Sequence, residues 1–196
     1  FKPLTKLTVE SKRDGALVGG VAITQTGGIP SEFGGATDAT SGFYVRRARG
    51  TISSVTFLAP EKDASGAGFT GWTNCTSQDN RKERRICAVS LDHGVARTIA
   101  VNYGAFPTVD LKLNGSDGPV SIIPGQGHLT WSSTRATGCV ASTVSINSFD
   151  TSAHWTGLKS TSGTGQSAPV RIQAAGRYTY TIRCNNAAGE AVDSVV

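Results

Sequence analysis

No run of apolar residues in this chain approaches the roughly 20 positions that a helix needs to cross a bilayer, so membrane insertion by a helix is not expected. Methionine is absent, and the opening FKPLTKLTVESK carries no apolar segment of the kind that directs secretion. Phe1 therefore reads as a processed terminus or as the start of a piece cut from a longer protein. Aromatic residues make up 7% and charged residues 17% of the 196 positions, and no helix-length stretch rich in Ala, Leu, Glu and Lys occurs. That excludes a helical bundle. No Ser stands in a nucleophile-elbow setting, no HExxH or HxH occurs, and no two Cys form a CxxC unit. His93, His128 and His154 stand apart in turn or strand contexts, so no catalytic site is expected.

What the chain has in quantity is Gly, at 24 residues, together with Ser and Thr. This composition favours short strands joined by Gly, Ser, Asn and Asp turns. Four cysteines fall as two groups, Cys75 with Cys87 in the first half and Cys139 with Cys184 in the second. No His stands at a ligand-like spacing from any of them. A disulfide framework explains them better than zinc or redox chemistry, which implies an oxidising compartment and an extracellular or cell-surface location. Small β domains have little interior for their surface, so one staple in each is expected.

Alternating apolar and polar residues place strands at 6–10, 18–24, 43–47, 51–59, 86–91 and 97–103. Ile86–Leu91 and Arg97–Tyr103 are expected to pair as a hairpin through Asp92, His93 and Gly94. Ala105-Phe106-Pro107 separates a finished strand from a new one and marks a boundary between domains 1–105 and 106–196. In the second domain, strands are expected at 108–113, 119–123, 127–133, 138–144, 153–159, 167–173, 176–185 and 190–196. Turns fall at Asn114-Gly115, Pro124-Gly125, Ala175-Gly176 and 185–189. Tyr178, Tyr180, Ile182 and Cys184 share one face of their strand, and Leu129 and Trp131 share another. Both sets are expected to point inward. The fold class is thus all-β: two tandem small β domains, the second a β-sandwich.

The segments HLTWSSTRATGCVAS, HWTGLKSTSG and AAGRYTYTIRCNNAAGEAVDSVV make residues 106–196 resemble bacterial immunoglobulin-like domains. The sequence departs from the antibody pattern, because Cys139 follows the strand that holds Trp131. The bridge is accordingly expected to join a strand end or loop to the strand of Cys184. FTGWTNC, RRICAVSL and ARTIAVNYG give residues 1–105 a resemblance to divergent internalin-type B-repeats of bacterial surface proteins. These resemblances imply a non-catalytic structural or adhesive role outside the cell.

Net charge is +5. Its excess collects at Arg46, Arg47 and Arg49 and at Arg81, Lys82, Arg84 and Arg85, a candidate patch for an anionic partner. Neither cluster is interleaved with aromatics, so nucleic acid is not an expected partner. Asp14, Asp38, Asp63, Asp117 and Asp150 stand in loop-like segments but form no DxDxDG loop. They read as turn formers, with no metal and no cofactor. Trp72 and Trp131 read as core. Trp155, with His154, is the candidate surface ring for a polysaccharide, the basis of an alternative role as a carbohydrate-binding module attached to a secreted enzyme. Asn74 and Asn114 stand in N-glycosylation sequons, read as chance matches. Lys112 is a conceivable isopeptide lysine made unnecessary by the disulfides. The terminal strands Lys6–Glu10 and Glu190–Val196 are expected to offer edges through which protein partners, or copies of this chain in a fibre, pair.

Overall fold

In the computed structural model, residues 4–28, 33–48, 54–92, 94–123, 125–146, 154–161 and 166–196 are described. Every regular element among them is a β-strand. Phe1, Arg49, His93, Pro124 and Asp150, singled out above, lie outside the described residues. The chain forms two compact units, Phe1–Ala105 and Phe106–Val196, each built around its own core.

Unit 1 contains β1 (Thr5–Arg13), β2 (Ala16–Leu17), β3 (Ala22–Gly28), β4 (Gly35–Ala36), β5 (Phe43–Ala48), β6 (Ser54–Leu58), β7 (Gly68–Thr73), β8 (Ser77–Asp79), β9 (Ile86–Ser90) and β10 (Ala96–Gly104). One sheet has the order β2-β1-β10-β7, with β5 also on β1; the other has the order β4-β3-β6-β9-β8. β1 shows why these residues make strands: Thr5, Leu7, Val9 and Ser11 are buried, while their neighbours are wetter. The period of two turns one row onto the core. The buried Ser11 hydroxyl is satisfied by the Thr37 hydroxyl at 2.8 Å. Asp14 and Gly15 both take positive φ, 49° and 87°, which gives the tight reversal from β1 into β2. Between the sheets lie Leu7, Val55, Phe57, Trp72, Val89, Ile99 and Val101, each at most 1% exposed. Burial of such a side chain contributes about 1.5–3 kcal/mol.

Three expectations for this unit are corrected. β9 and β10 do not form a hairpin. β9 pairs with β6 and β8, whereas β10 pairs with β1 and β7, so the two strands belong to different sheets. The strand expected at 18–24 begins later, at Ala22, and runs to Gly28. Finally, Lys6–Glu10 is no edge: β1 lies between parallel β10 and antiparallel β5, with β2 beyond its far end. Both sides of its backbone are already hydrogen-bonded, so it has nothing to offer an incoming strand.

Unit 2 contains β11 (Thr108–Leu113), β12 (Gly125–Thr134), β13 (Gly138–Ile146), β14 (Gly157–Lys159), β15 (Gln166–Ile172), β16 (Arg177–Asn185) and β17 (Glu190–Val195). A three-stranded sheet, β11-β12-β15, faces a four-stranded one, β14-β13-β16-β17. Seven antiparallel strands divided three and four in this order form an immunoglobulin-like sandwich. In β16, Tyr178, Tyr180, Ile182 and Cys184 are all buried, and Leu129 and Trp131 meet them from β12. Asn114 and Gly115, at φ 52° and 81°, make the turn that ends β11.

Among the described residues, seven strands rather than eight form, because residues 119–123 pair with no described strand. Pro119 has no N–H to give; Val120 donates to the Val196 carbonyl at 2.8 Å and makes a strap instead. β17 has no strand on its outer side, but that side is partly engaged. The Leu111 N–H donates to the Asp193 carboxylate at 2.6 Å, and Val196 accepts from the strap.

Each unit holds one disulfide. Cys75 joins Cys87 in unit 1 and Cys139 joins Cys184 in unit 2, with no free thiol left. Cys139 lies within β13 and stands directly opposite Cys184 of β16. The second bridge therefore ties neighbouring strands of one sheet instead of crossing between layers.

Candidate interaction surface

β13 carries an unusual outward face. Cys139 and Ala141 point into the core, which fixes the parity of the strand and turns Val140, Ser142, Val144 and Ile146 outward. Register extends that face across the sheet. Leu158 of β14 stands opposite Val140, Val140 opposite Arg183, and Arg183 opposite Val192. Ser142, Thr181 and Ser194 form a second row, in which the Thr181 and Ser194 hydroxyls are 2.8 Å apart. Val144 with Thr179 and Ile146 with Arg177 complete it.

Five branched aliphatic side chains are thereby held in water: Leu158 is 84% exposed, Val144 59%, Ile146 52%, Val140 49% and Val192 47%. Most solvated sheet faces are polar. This aliphatic patch, interrupted by hydroxyls, is the candidate interaction surface of unit 2. Part of its charge is compensated within the sheet, since Arg183 holds Glu190 at 2.9 Å. The sequence VASTVSI contained the signal: once Cys139 is taken as inward, its alternate positions read Val, Ser, Val, Ile.

The residues singled out from sequence are distributed otherwise. Trp155 is a correction. It is 4% exposed and packs against Trp131 with ring centroids 5.4 Å apart. The Trp155 backbone N–H donates to the Thr143 hydroxyl, which in turn donates to the Trp155 carbonyl, at 2.8 and 3.0 Å. A ring enclosed in the core cannot stack on a sugar. His154 beside it is exposed. The Lys159 ammonium lies 5.1 Å from the Trp155 ring centroid, and burial pushes its pKa down.

The basic clusters do not merge into one patch. Arg46 and Arg47 lie on β5, in one sheet of unit 1; Arg81, Lys82, Arg84 and Arg85 occupy the turn between β8 and β9, in the other. Much of their charge is also engaged. Arg46 lies over the Tyr44 ring and donates to the Gly34 carbonyl. Arg81 and Arg84 both reach Asp79, and the hydrogen bond from Arg81 holds that carboxyl down, to about 2. Arg85 donates to the Ala59 and Lys82 carbonyls.

The loop aspartates act within the fold. Asp38 accepts from the Thr40 and Ser41 N–H groups and the Ser41 hydroxyl, and those bonds lower its pKa. Asp63 is buried and accepts from Arg13, Ser65 and Ala67. Burial pushes its carboxyl up, but the hydrogen bonds outweigh that and hold it below the usual value. Asp117 pairs with Lys112, which Asp110 also reaches. No group of three His, Cys, Asp or Glu able to hold a metal occurs among the described residues.

No family model matches the chain, and no curated protein matches it. Among solved structures, a DUF3823 family protein of Parabacteroides merdae is similar at 11% identity and a TM-score of 0.33, covering 100% of this chain and 98% of that one. The FN1–FN3 domains of chicken CNTN1 are similar at 10% identity and a TM-score of 0.30, covering 99% and 95%. The assignment of an immunoglobulin-like β fold rests on the strand pairing of the chain itself.

Proposed function

We propose that this chain is a non-catalytic structural or adhesive module of a bacterial surface or secreted protein, and that unit 2 makes contact through the outer face of its four-stranded sheet. The exposed aliphatic rows of that face carry the reading. A sheet face with rows of exposed aliphatic side chains is complementary to another apolar protein surface, where that area leaves water on association. The disulfide in each unit supports an extracellular setting, because such bonds persist outside the reducing cytosol. The motif resemblance of residues 106–196 to bacterial immunoglobulin-like domains points the same way.

The test is association of the whole chain, alone and with an extract of the producing cell's surface proteins. Val140→Lys combined with Val144→Lys is expected to abolish binding while the melting temperature holds. Undiminished binding by this double variant would sink the reading.

A further inference from the structure

The outer face of the β14-β13-β16-β17 sheet is laid out so that it matches itself. The row of Ser142, Thr181 and Ser194 lies at its middle. One row to either side on β13 stand Val144 and Val140, and one row further stand Ile146 and Gly138. Arg177 shares the row of Ile146 at one end of the face, and Glu190 shares the row of Gly138 at the other. Both are exposed. No described residue forms an ion pair with Arg177, so its charge is the uncompensated one on this face.

Two copies of one surface meet about a two-fold axis, which for stacked faces lies in the plane between them. With that axis running across the strands at the hydroxyl row, the row meets its own counterpart. Val144 of each copy then meets Val140 of the other, and Ile146 meets Gly138, which has no side chain to obstruct it. Arg177 arrives at the row that holds Glu190 of the second copy. Glu190 already accepts from Arg183, but the two side chains of that pair are 59% and 52% exposed, and a carboxylate has lone pairs for a second donor. An axis along the strands instead keeps each row on itself, which brings Arg177 toward Arg177 and Arg183 toward Arg183. Charge therefore selects the first arrangement.

We infer that the partner of this face is a second copy of the chain, related by a two-fold axis that crosses the strands at the Ser142 row. The dimer rests on the contact role proposed above and gives that role a partner. The lengths of the four strands, at roughly 3.4 Å per residue and 4.8 Å between strands, give a face of about 450 Å². Two such faces bury about 900 Å², the size of a weak and reversible contact.

Sedimentation of the intact chain from micromolar to millimolar concentration should show a reversible monomer–dimer equilibrium. Arg177→Glu and Glu190→Lys each set like charges against one another in their own dimers, and each should weaken self-association about tenfold or more. Mixed in equal amounts, the two variants should associate to within about threefold of the parent, because both contacts of the mixed dimer join opposite charges. Ser142→Cys should cross-link to its own counterpart under mild oxidation. Leu158→Cys, two rows from its counterpart, should not. A chain that stays monomeric at every concentration, or a mixture that associates no better than the single variants, overturns the inference. A monomeric chain that still binds another surface protein through Val140 and Val144 overturns the dimer and leaves the contact role standing. Dimerisation undiminished by Val140→Lys with Val144→Lys overturns both.

Discussion

Cys139 and Cys184 stand directly opposite one another on β13 and β16, with Cα atoms 4.1 Å apart and both side chains out of contact with water. In unit 1 the arrangement is less protected: Cys87 is fully buried, but Cys75 is only half-buried. Mild reductant followed by alkylation and peptide mapping should therefore label Cys75 and Cys87 first. Labelling of Cys139 and Cys184 before them would show that the sandwich opens more easily than its packing indicates.

The same bridges differ in what they add to stability. Sequence separations of 12 and 45 residues correspond, in the chain-entropy model, to about 3 and about 4 kcal/mol. Replacing both Cys139 and Cys184 by Ala is expected to lower the denaturation midpoint of unit 2 more than the matching change at Cys75 and Cys87 lowers that of unit 1. Urea titrations of the two double variants measure this directly.

Asp63 makes unit 1 sensitive to acid. Its folded pKa lies below its unfolded value, so the stability it contributes is complete above the unfolded pKa, roughly 4, and is lost as pH falls through the folded one. Asp63→Ala leaves the Ser65 and Ala67 N–H groups without their acceptor and should cost about 2–3 kcal/mol at neutral pH. The acid limb of its stability curve should also flatten. A variant whose acid limb matches that of the parent would remove Asp63 from this role.

Trp155 belongs to the core, so its truncation is a packing change. Trp155→Ala is expected to destabilise unit 2 by about 3–5 kcal/mol. Tryptophan emission should remain unchanged across a panel of polysaccharides, and quenchers should barely reach this ring.

The outer sheet face behaves oppositely. Leu158→Lys or Val192→Lys removes no packed contact of the core and should shift stability by about 0.5 kcal/mol or less. Both should reduce binding of hydrophobic dyes. A large loss of stability would mean that these side chains pack within the unit.

Period-two alternation made the fold class legible: β16 reads from sequence as it stands in the structure, buried at every second residue. What failed was long-range. β1 and β10 pair although some 90 positions separate them, and nothing local in either strand announces a parallel neighbour. The strap at 119–123 alternates like a strand because alternation reports side-chain sidedness, not backbone pairing. Trp155 looked exposed because it follows a polar His and precedes a turn; Trp131 of β12, remote in the sequence pattern, packs against it. The aliphatic face was readable in β13, but only after Cys139 had fixed which side was inward.

The parallel pairing of β1 with β10 has a mechanical consequence. Eight registered pairs run from Lys6 beside Ala96 to Arg13 beside Tyr103, so the chain enters unit 1 at one pole and leaves β10 at the other. Tension drawn along the polypeptide loads those rungs in shear, all together, instead of peeling them one after another. β1 and β10 thus form a clamp that resists extension of the chain through this unit as one block.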